Sequence, residues 1–517
     1  MVKKEPKVAS ENIPLQKIGL VSFTDPRSEV KLIEKRENYI KHCHNGLKSK
    51  LEKEGFIVVD PLQDLRLNAK KGDIWGLNNL SDLQFVIKRF LDDGVSALIF
   101  GCWAWNEPNI PIELAKKVNV PIALVTVNNP SWPGITAISS TGASFWESAL
   151  NYQIKNHQRF ILEQNENIDE IVPWVRSTIA LNYLKNGKLI LWGGSPALNM
   201  EHLNDDISAL KKFIICDIMT QDQYSIVRIA EKILAENHER VTSFVNWLKE
   251  NNCQIIYDNK MTTKESVDKQ IAMYLAAKDI VNENIKTGNN IIGVSIKCQP
   301  ELSVEYGTTP CLIPAFLPYP VDSEGKKPII PTVCEGDIKG LLTSSLLFGL
   351  NSKIPPLFGD LKILDEKYFV IANCGAASAF YAANSNDPKI SLSKAAIKPQ
   401  CQGESGGAFG FNTPETKSEA TFARLIRIDK EYFLQAGTGK IVSQIRKTED
   451  SWGSTWPHTA IELKVPGNLF IKAIGTNHLS LTLGNYMADL RHFSKLLSIP
   501  LIELDKEKSI RKFFNRK

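Results

Sequence analysis

Short apolar runs alternate with longer amphipathic segments through the first third of the chain. The apolar runs cover residues 18–23, 56–59, 97–100 and 121–127, and the segments between them carry charged residues at helical spacing. Runs of this length between helical patterns predict buried strands joined by right-handed crossover helices. The pattern therefore indicates a parallel sheet, in which ligands bind where the strands end.

A second region of the same kind begins with the apolar run at residues 188–192, which leads into the sequence GGSP. Residues 213–217 predict its next strand,. From about residue 351 the pattern changes, because strand-like runs at residues 369–372, 422–428 and 469–473 lie among glycine-rich turns. This last part of the chain therefore predicts a mainly β region.

These patterns predict an α/β fold class with two Rossmann-like, doubly wound N-terminal domains and a mainly β C-terminal domain. A chain of 517 residues is long enough for about three domains,. We expect the first α/β domain at residues 1–172, the second at residues 173–352, and the β-rich domain at residues 353–517.

The composition is that of a globular protein without a polyanionic partner. Hydrophobic residues make up 43% of the chain and charged residues 23%,. The net charge of +5 comes from 62 basic and 57 acidic residues. Basic residues concentrate within residues 1–7 and 506–517, where such runs are typical of solvated tails,. We therefore expect no nucleic-acid partner.

The cysteines and the N-terminus bear on the cellular compartment. The chain has 9 cysteines, widely spaced and without a CxxC pair, which favours reduced thiols over a disulfide framework or a zinc site. The first 16 residues, MVKKEPKVASENIPLQ, contain no apolar signal segment,. No apolar run approaches the roughly 18 residues of a membrane span. These features predict a cytoplasmic protein without a membrane partner.

Three stretches place polar groups where predicted elements meet. Glu335 precedes an apolar helix pattern, Asp360 ends the short apolar run PLFGD, and His478 follows the run at residues 469–473. Taken singly, Glu335 is typical of a helix N-terminal cap, Asp360 of a turn, and His478 of a structural imidazole. Together they form a set of two carboxylates and one imidazole, which suits Mn²⁺ or Mg²⁺.

The same stretches resemble the L-fucose isomerase family, of which L-arabinose isomerase is a distant relative. They read CEGDIKGLLTSSLLFG, PPLFGDLK and GTNHLSLTLGNYMADL. The segments IGLVSFTDPR, GCWAWNEP, LWGGSPALN, ANCGAAS and STWPHT have counterparts in the family in the same order. The resemblance thus covers nearly the whole chain, and it is specific for the superfamily rather than for one sugar.

The resemblance implies an aldose–ketose isomerase that works through a cis-enediol. It implies that Glu335, Asp360 and His478 bind a divalent cation, most simply Mn²⁺, with Mg²⁺ or Co²⁺ as alternatives. Glu335 and Asp360 would also be the catalytic acid and base. The β-rich domain would complete this site. The residues that it implies as substrate-binding are Trp103, Trp456, Asn477, Arg27 and Asp25.

The resemblance also implies a homo-oligomer, a trimer or a hexamer, because in the family the tryptophan that matches Trp103 reaches in from a neighbouring subunit. Gly375-Ala376 stands where the family has a glycine-serine pair, so a hydroxyl that would face the sugar is missing. The substrate stays open between an L-fucose-like or D-arabinose-like sugar and a sulfo-sugar such as sulfoquinovose. For a sulfonate, the candidate cationic partners are Arg27, Lys398 and Arg424.

Two other functions stay open at this point. Paired α/β domains also occur in non-catalytic sugar-binding proteins, so an intracellular binding protein is one alternative. The sequence Gly193-Gly194-Ser195 after a strand suggests a nucleotide-dependent enzyme as the other. Against the latter, no phosphate-binding motif of the P-loop or dinucleotide type opens a helix after a strand.

Overall fold

The chain divides into two compact units, residues 15–182 and residues 183–517. The structure, a computed structural model, describes residues 17–27, 32–70, 73–148, 156–163, 168–400, 405–443 and 452–515. The division into three domains with boundaries after residues 172 and 352 stays a prediction.

The first unit is built on a parallel sheet of five strands in the order β2-β1-β3-β4-β5. Its strands are β1 Lys17–Ser22, β2 Ile57–Val59, β3 Leu98–Gly101, β4 Ile122–Val127 and β5 Gln158–Leu162. Its helices are α1 Ile33–Lys53, α2 Pro61–Leu65, α3 Leu80–Asp93, α4 Asn109–Val118 and α5 Gly134–Glu147, and α6 Ile171–Lys185 runs across the boundary between the units. Every residue of β3 and β4 is buried, as expected for central parallel strands.

The second unit begins with a parallel sheet of four strands in the order β12-β9-β6-β7. These strands are β6 Lys188–Trp192, β7 Asp217–Gln221, β9 Ile291–Ile296 and β12 Thr332–Cys334. Its helices up to this point are α7 Ile207–Phe213, α8 Tyr224–Glu236, α9 His238–Glu250, α10 Lys264–Lys286 and α11 Leu312–Phe316, and α12 Ile338–Leu350 follows β12. All 13 residues of α12 are buried, including a lysine and three hydroxyl residues, so α12 is a core helix rather than an amphipathic surface helix.

A largely antiparallel sheet of seven strands occupies the C-terminal part of the second unit, in the order β19-β14-β13-β20-β17-β18-β21. Its strands are β13 Leu357–Leu364, β14 Tyr368–Ala372, β17 Glu419–Ile428, β18 Glu431–Lys440, β19 His458–Glu462, β20 His478–Leu483 and β21 Leu501–Glu503. The accompanying helices are α13 Pro388–Ser391, α14 Gly467–Ala473, α15 Met487–Leu497 and α16 Glu507–Phe514. Two small sheets join β8 Gln254–Ile255 to β15 Ala396–Pro399 and β16 Gly407–Gly410, and β10 Val321–Asp322 to β11 Gly325–Lys326.

The predicted α/β class, with parallel sheets followed by a mainly β C-terminal region, is confirmed. Two local predictions are wrong. The run at residues 469–473 lies in helix α14 rather than in a strand, and residue 213 ends helix α7, so that the strand begins only at Asp217. None of the helices in the described ranges has both the length and the apolar character that a membrane crossing requires.

Candidate metal centre

Glu335, Asp360 and His478 lie together in the second unit. One donor atom from each of these side chains lies within 4.8 Å of the other two. The Nε2 atom of His478 is 3.1 Å from Oε2 of Glu335 and 3.4 Å from Oδ1 of Asp360. The structure thus brings two carboxylates and one imidazole to a single point from three distant segments.

Each of the three side chains is held by a different local structure. Asp360 in β13 lies directly opposite His478, the first residue of β20, in an antiparallel pair. Glu335 occupies the turn between β12 and α12 with φ of +63°, and Gly336 follows with φ of +69°. A glutamate in the left-handed region is uncommon and strained. This turn is what directs the Glu335 carboxylate towards the two strands.

Two buried polar atoms of the cluster support a cation as the missing partner. Oε2 of Glu335 and Nε2 of His478 are both buried and lie 3.1 Å apart, and neither has a hydrogen-bond partner outside the cluster among the described residues. A buried polar atom without a partner costs about 1–3 kcal/mol, and more when charged. Burial alone would lower the pKa of His478, but Asp360, Asp337 and Glu335 raise it well above its usual range. Two carboxylates and one imidazole therefore fit a divalent cation, towards which the imidazole would be neutral.

Asp337 binds the Nδ1 atom of His478, the ring nitrogen that does not face Glu335 and Asp360. Its carboxylate accepts a hydrogen bond from Nδ1 of His478 at 2.9 Å and is paired with both terminal nitrogens of Arg424. Burial would raise the pKa of Asp337, but the charges of Arg424 and His478 hold that pKa well below its usual range. In the neutral imidazole that a cation would require, the bond donated from Nδ1 leaves Nε2 as the free atom that faces Glu335 and Asp360, the usual arrangement around metal-binding histidines.

Asp337 is also the N-terminal cap of α12, because its side chain accepts from the backbone N–H of Gly340 at 2.7 Å. Reading Glu335 as that cap is therefore wrong. The placement of His478 after an apolar strand is wrong as well, because helix α14 precedes it and His478 itself begins β20.

Asn477 and His202 extend the cluster on the Asp360 side. The amide nitrogen of Asn477 donates to Oδ1 of Asp360 at 2.7 Å, and the amide oxygen of Asn477 lies 2.8 Å from Nε2 of His202. Asn477 thus orients the Asp360 carboxylate, and its contact with a substrate stays a prediction. His202 is exposed, so the chain from His202 through Asn477 to Asp360 connects the cluster with solvent.

Trp456 lies near the candidate metal centre, and Cys374 lies between it and Glu335. Trp456 is buried and packs with Cys374, whose thiol donates to Oε1 of Glu335 at 3.3 Å. Its indole N–H donates to the side-chain oxygen of Gln400 at 2.7 Å. Trp456 therefore supports the Glu335 side of the cluster, and the sugar contact that the resemblance implies for it stays a prediction.

The other three predicted substrate residues belong to the first unit. Trp103 is 1% exposed, and its indole N–H donates to Oγ of Ser22 at 2.8 Å. Arg27 makes a two-pronged ion pair with Asp25, with nitrogen–oxygen distances of 2.9 Å and 2.7 Å. Burial would raise the pKa of Asp25, but hydrogen bonds from Arg27 lower it overall. Substrate contacts of these residues stay predictions, and the burial of Trp103 favours a structural role within its own unit.

The structure excludes one of the three candidate cationic partners of a sulfonate. Arg424 is fully buried, and its guanidinium group is paired with Asp337. A guanidinium group committed to a buried carboxylate is not available to a substrate, so Arg424 as a sulfonate partner is wrong. Lys398 on β15 is half-buried, and the Arg27 side chain is 69% exposed.

Sequence reasoning missed Asp337 and His202. An aspartate three residues before Gly340, at the start of an apolar run, is a visible capping signal,. Its bond to His478 joins residues 141 positions apart, which no local pattern reports. His202 follows the LWGGSPALN segment and has no local signal of its own.

Comparison with known protein families gives one match that bears on this cluster. Residues 371–505 match the family described as L-fucose isomerase, C-terminal domain. That stretch contains His478, Asn477 and Trp456, whereas Glu335 and Asp360 precede it. A comparison with curated proteins gave no match.

Proposed function

We propose that this chain, whose residues 371–505 match the C-terminal domain of the L-fucose isomerase family, interconverts an aldose and its ketose with a divalent cation as cofactor. The matched domain points to a sugar isomerase. The observation that carries the metal dependence is the convergence of Glu335, Asp360 and His478, with two buried donor atoms that have no hydrogen-bond partner outside the cluster among the described residues. Mn²⁺ is the proposed ion, with Mg²⁺ and Co²⁺ as alternatives.

The three side chains would hold the ion, and when bound it supplies Lewis-acid stabilisation for negative charge on the sugar oxygens. Glu335 and Asp360 are the proposed acid and base. One carboxylate takes the proton from C2 and returns it to C1 through a cis-enediol, while the other carries the hydroxyl proton from O2 to O1. The side chain of Asp360 is 29% exposed and that of Glu335 is 7% exposed, so Asp360 is the more accessible base.

The remaining residues of the cluster position these groups. Asp337 would keep the proton of the neutral His478 on Nδ1, so that Nε2 could bind the ion,. Asn477 fixes the Asp360 carboxylate through its amide N–H. Cys374 donates to Glu335 and fixes that carboxylate from the opposite side.

The proposed substrate is a free small-molecule sugar. An L-fucose-like or D-arabinose-like aldose and a sulfo-sugar such as sulfoquinovose are both proposed, because Gly375-Ala376 removes a hydroxyl that the family presents to the sugar. For the sulfo-sugar, Arg27 and Lys398 are the remaining candidate partners of the sulfonate. We further propose a cytoplasmic homo-oligomer, a trimer or a hexamer.

A panel of aldoses tests this proposal. L-fucose, D-arabinose, L-arabinose and sulfoquinovose are each incubated with the protein and Mn²⁺ in D₂O, and ketose formation and deuterium entry at C1 or C2 are followed by NMR. We expect turnover of at least one sugar and a fall of about 10²-fold or more in Glu335→Gln, because an acid–base group contributes about 10²–10⁴-fold.

The matched control is Glu366→Gln, an exposed glutamate in the turn after β13, which should leave the rate unchanged. Sugar binding without turnover, equally tight after chelator treatment, would instead support the sugar-binding protein. Turnover in Glu335→Gln within a few-fold of the parent would refute the proton-transfer role of Glu335.

A further inference from the structure

Four cysteines surround a small cavity beside the candidate metal centre. Cys298, Cys311, Cys334 and Cys374 all line it, together with Asn373 and neighbouring apolar residues. Its volume is about 20 Å³, close to the space that one water molecule occupies. A single ion fits such a cavity, whereas a sugar or another organic ligand does not.

Two of these thiols form a ligand set with Glu335. One donor atom each from Cys334, Glu335 and Cys374 lies within 4.8 Å of the other two. The three residues come from two segments, because Cys334 ends β12 directly before Glu335 and Cys374 follows β14. The Cys374 thiol already donates to Oε1 of Glu335 at 3.3 Å, so two of the donor atoms are in contact.

Asn373 orients the Cys334 sulfur within this set. Its amide nitrogen lies 3.4 Å from that sulfur and 3.2 Å from the backbone oxygen of Phe358. Cys334 and Glu335 are buried, and Cys374 is half-buried. Both cysteines therefore line the cavity at or just after strand ends, and Glu335, which lies outside the cavity lining, is in contact with Cys374.

From this geometry we propose a second metal site, in which Cys334, Cys374 and Glu335 bind a thiophilic divalent cation such as Zn²⁺ or Cd²⁺. Thiolate sulfur prefers such ions, whereas the set of Glu335, Asp360 and His478 offers oxygen and nitrogen to harder ions. Each thiol releases its proton to solvent when its sulfur coordinates the ion. The site stands on its own geometry and does not require the proposed isomerase activity.

Glu335 links the two ligand sets. Its Oε1 atom faces Cys374, and its Oε2 atom lies 3.1 Å from Nε2 of His478. Because one carboxylate serves both, occupancy of the thiol site by its ion lowers the affinity of the other set for Mn²⁺, and by linkage the reverse holds equally. The thiol site is therefore a place where a thiophilic ion weakens the binding of Mn²⁺ to the other ligand set.

A Cd²⁺ titration tests the site, with the thiolate-to-metal charge-transfer absorption in the ultraviolet as the signal. The parent carries Cys216→Ser, because Cys216 is an exposed thiol elsewhere in the chain. We expect the absorption to saturate at one Cd²⁺ per chain. Cys374→Ser should weaken Cd²⁺ binding by at least about 100-fold, since even groups that only support ligands contribute 10–100-fold. An unchanged titration in Cys374→Ser, or no thiolate absorption in the parent, would overturn the proposal.

Two control variants separate this site from its surroundings. Cys253→Ser removes another buried thiol and should leave the titration unchanged. Asp360→Asn disrupts the first ligand set but not the second, so it should keep the Cd²⁺ signal even where isomerisation is lost. Loss of the signal in Asp360→Asn would overturn the assignment of the ion to the thiols.

An alkylation measurement on the parent protein avoids dependence on the folding of the variants. Iodoacetamide labelling of Cys374 is followed by peptide mass spectrometry, with and without one equivalent of Cd²⁺. We expect Cd²⁺ to protect Cys374 by about 10-fold or more, because coordination occupies the sulfur lone pair that iodoacetamide would alkylate. Equal labelling of Cys374 in both samples would contradict the site.

Discussion

Asp337 is the residue on which the geometry of the cluster depends most. It is fully buried, it pairs with the fully buried Arg424, and it accepts from His478. The charge of Arg424 keeps Asp337 ionised in the interior, and an ionised Asp337 keeps the His478 proton on Nδ1. The ion pair of Asp337 and Arg424 therefore determines which nitrogen of His478 can accept, and both residues of that pair are fully buried.

Asp337→Asn should separate this positioning role from catalysis. The substitution leaves Arg424 as a buried charge without its counterion, which costs about 3–5 kcal/mol of folding free energy. It also removes the fixed orientation of His478, so the affinity for Mn²⁺ should fall about 10–100-fold. Calorimetric Mn²⁺ titration and thermal unfolding measure the two effects.

The control is Asp206→Asn, at an exposed N-terminal cap of α7 whose side chain accepts from Ser208 and Ala209. Asparagine caps a helix about as well as aspartate, so neither quantity should change there. Mn²⁺ affinity in Asp337→Asn equal to that of the parent would show that Asp337 is only a structural partner of Arg424.

The residue types of the cluster could be predicted from the sequence. That these residues lie close together in space could not. Asp360 and His478 are paired across β13 and β20, and a pairing at this separation leaves no local pattern. Family resemblance supplied the set of three ligands, whereas Asp337 and His202 carry no family assignment here. The left-handed turn at Glu335 is also invisible in sequence, because glutamate rarely adopts that conformation.

At the scale of elements, helix α12 must lie very close to the sheet that carries Asp360. A Cβ atom on Gly340 would lie 2.5 Å from Oδ2 of Asp337, 2.6 Å from the guanidinium of Arg424 and 2.6 Å from the Phe358 ring. Only glycine leaves this space for the ion pair and for the strand. The first turn of α12 thus packs closely against the ion pair of Asp337 and Arg424.

Gly340→Ala should therefore weaken the candidate metal centre, although Gly340 is not one of its proposed ligands. The added methyl group displaces the Asp337–Arg424 pair, and overpacking of this kind costs about 1–3 kcal/mol. We expect lower thermal stability and weaker Mn²⁺ binding, measured by unfolding and titration. In Gly467→Ala, at the start of α14, the nearest atom lies 3.4 Å from the new Cβ, so that control should be nearly neutral. Equal behaviour of the two variants would contradict the close fit.

A second element-scale prediction concerns the C-terminal strand β21. Hydrogen bonds from Arg491 on α15, with further pairing to Lys506, lower the pKa of Glu503 from its ordinary 4.5 to about 2. A lowered carboxyl pKa stabilises the fold above pH 4.5, and this stabilisation is lost as the pH falls towards 2. Arg491 is partly exposed, so the contribution at neutral pH is about 1–2 kcal/mol.

Glu503→Gln should thus lower the unfolding temperature at pH 7, and the difference from the parent should shrink at pH 3.5. Thermal unfolding at both pH values measures it. A difference that stays the same at pH 3.5, or that grows, would show that the carboxylate charge of Glu503 does not stabilise this strand.

The sequence predicts elements well where burial alone decides them and poorly where it does not. The runs that became β3 and β4 are buried along their whole length, so continuous apolar character identified them. The run LFIKA in residues 469–473 is equally short and apolar, but Pro466 and Gly467 begin a helix there. A run of that length fits a strand or a buried helical turn equally, so periodicity could not separate the two.

At the scale of the whole molecule, the predicted functional residues are distributed over both compact units. The candidate metal centre and the thiol site lie in residues 183–517, and Trp103, Asp25 and Arg27 lie in residues 15–182. At this scale the proposed homo-oligomer makes a prediction of its own. Sedimentation velocity should give a trimer or a hexamer, and a monomer at micromolar concentration would contradict the proposed assembly.

The most direct test of the central claim is a count of bound Mn²⁺, because every proposed catalytic role depends on Glu335, Asp360 and His478 sharing one ion. The free ion is measured by electron paramagnetic resonance during titration of the parent, of Asp360→Asn and of His478→Ala. The account predicts one Mn²⁺ per chain in the parent and affinity reduced by at least about 100-fold in each variant. One Mn²⁺ bound with the parent's affinity in both variants would contradict it.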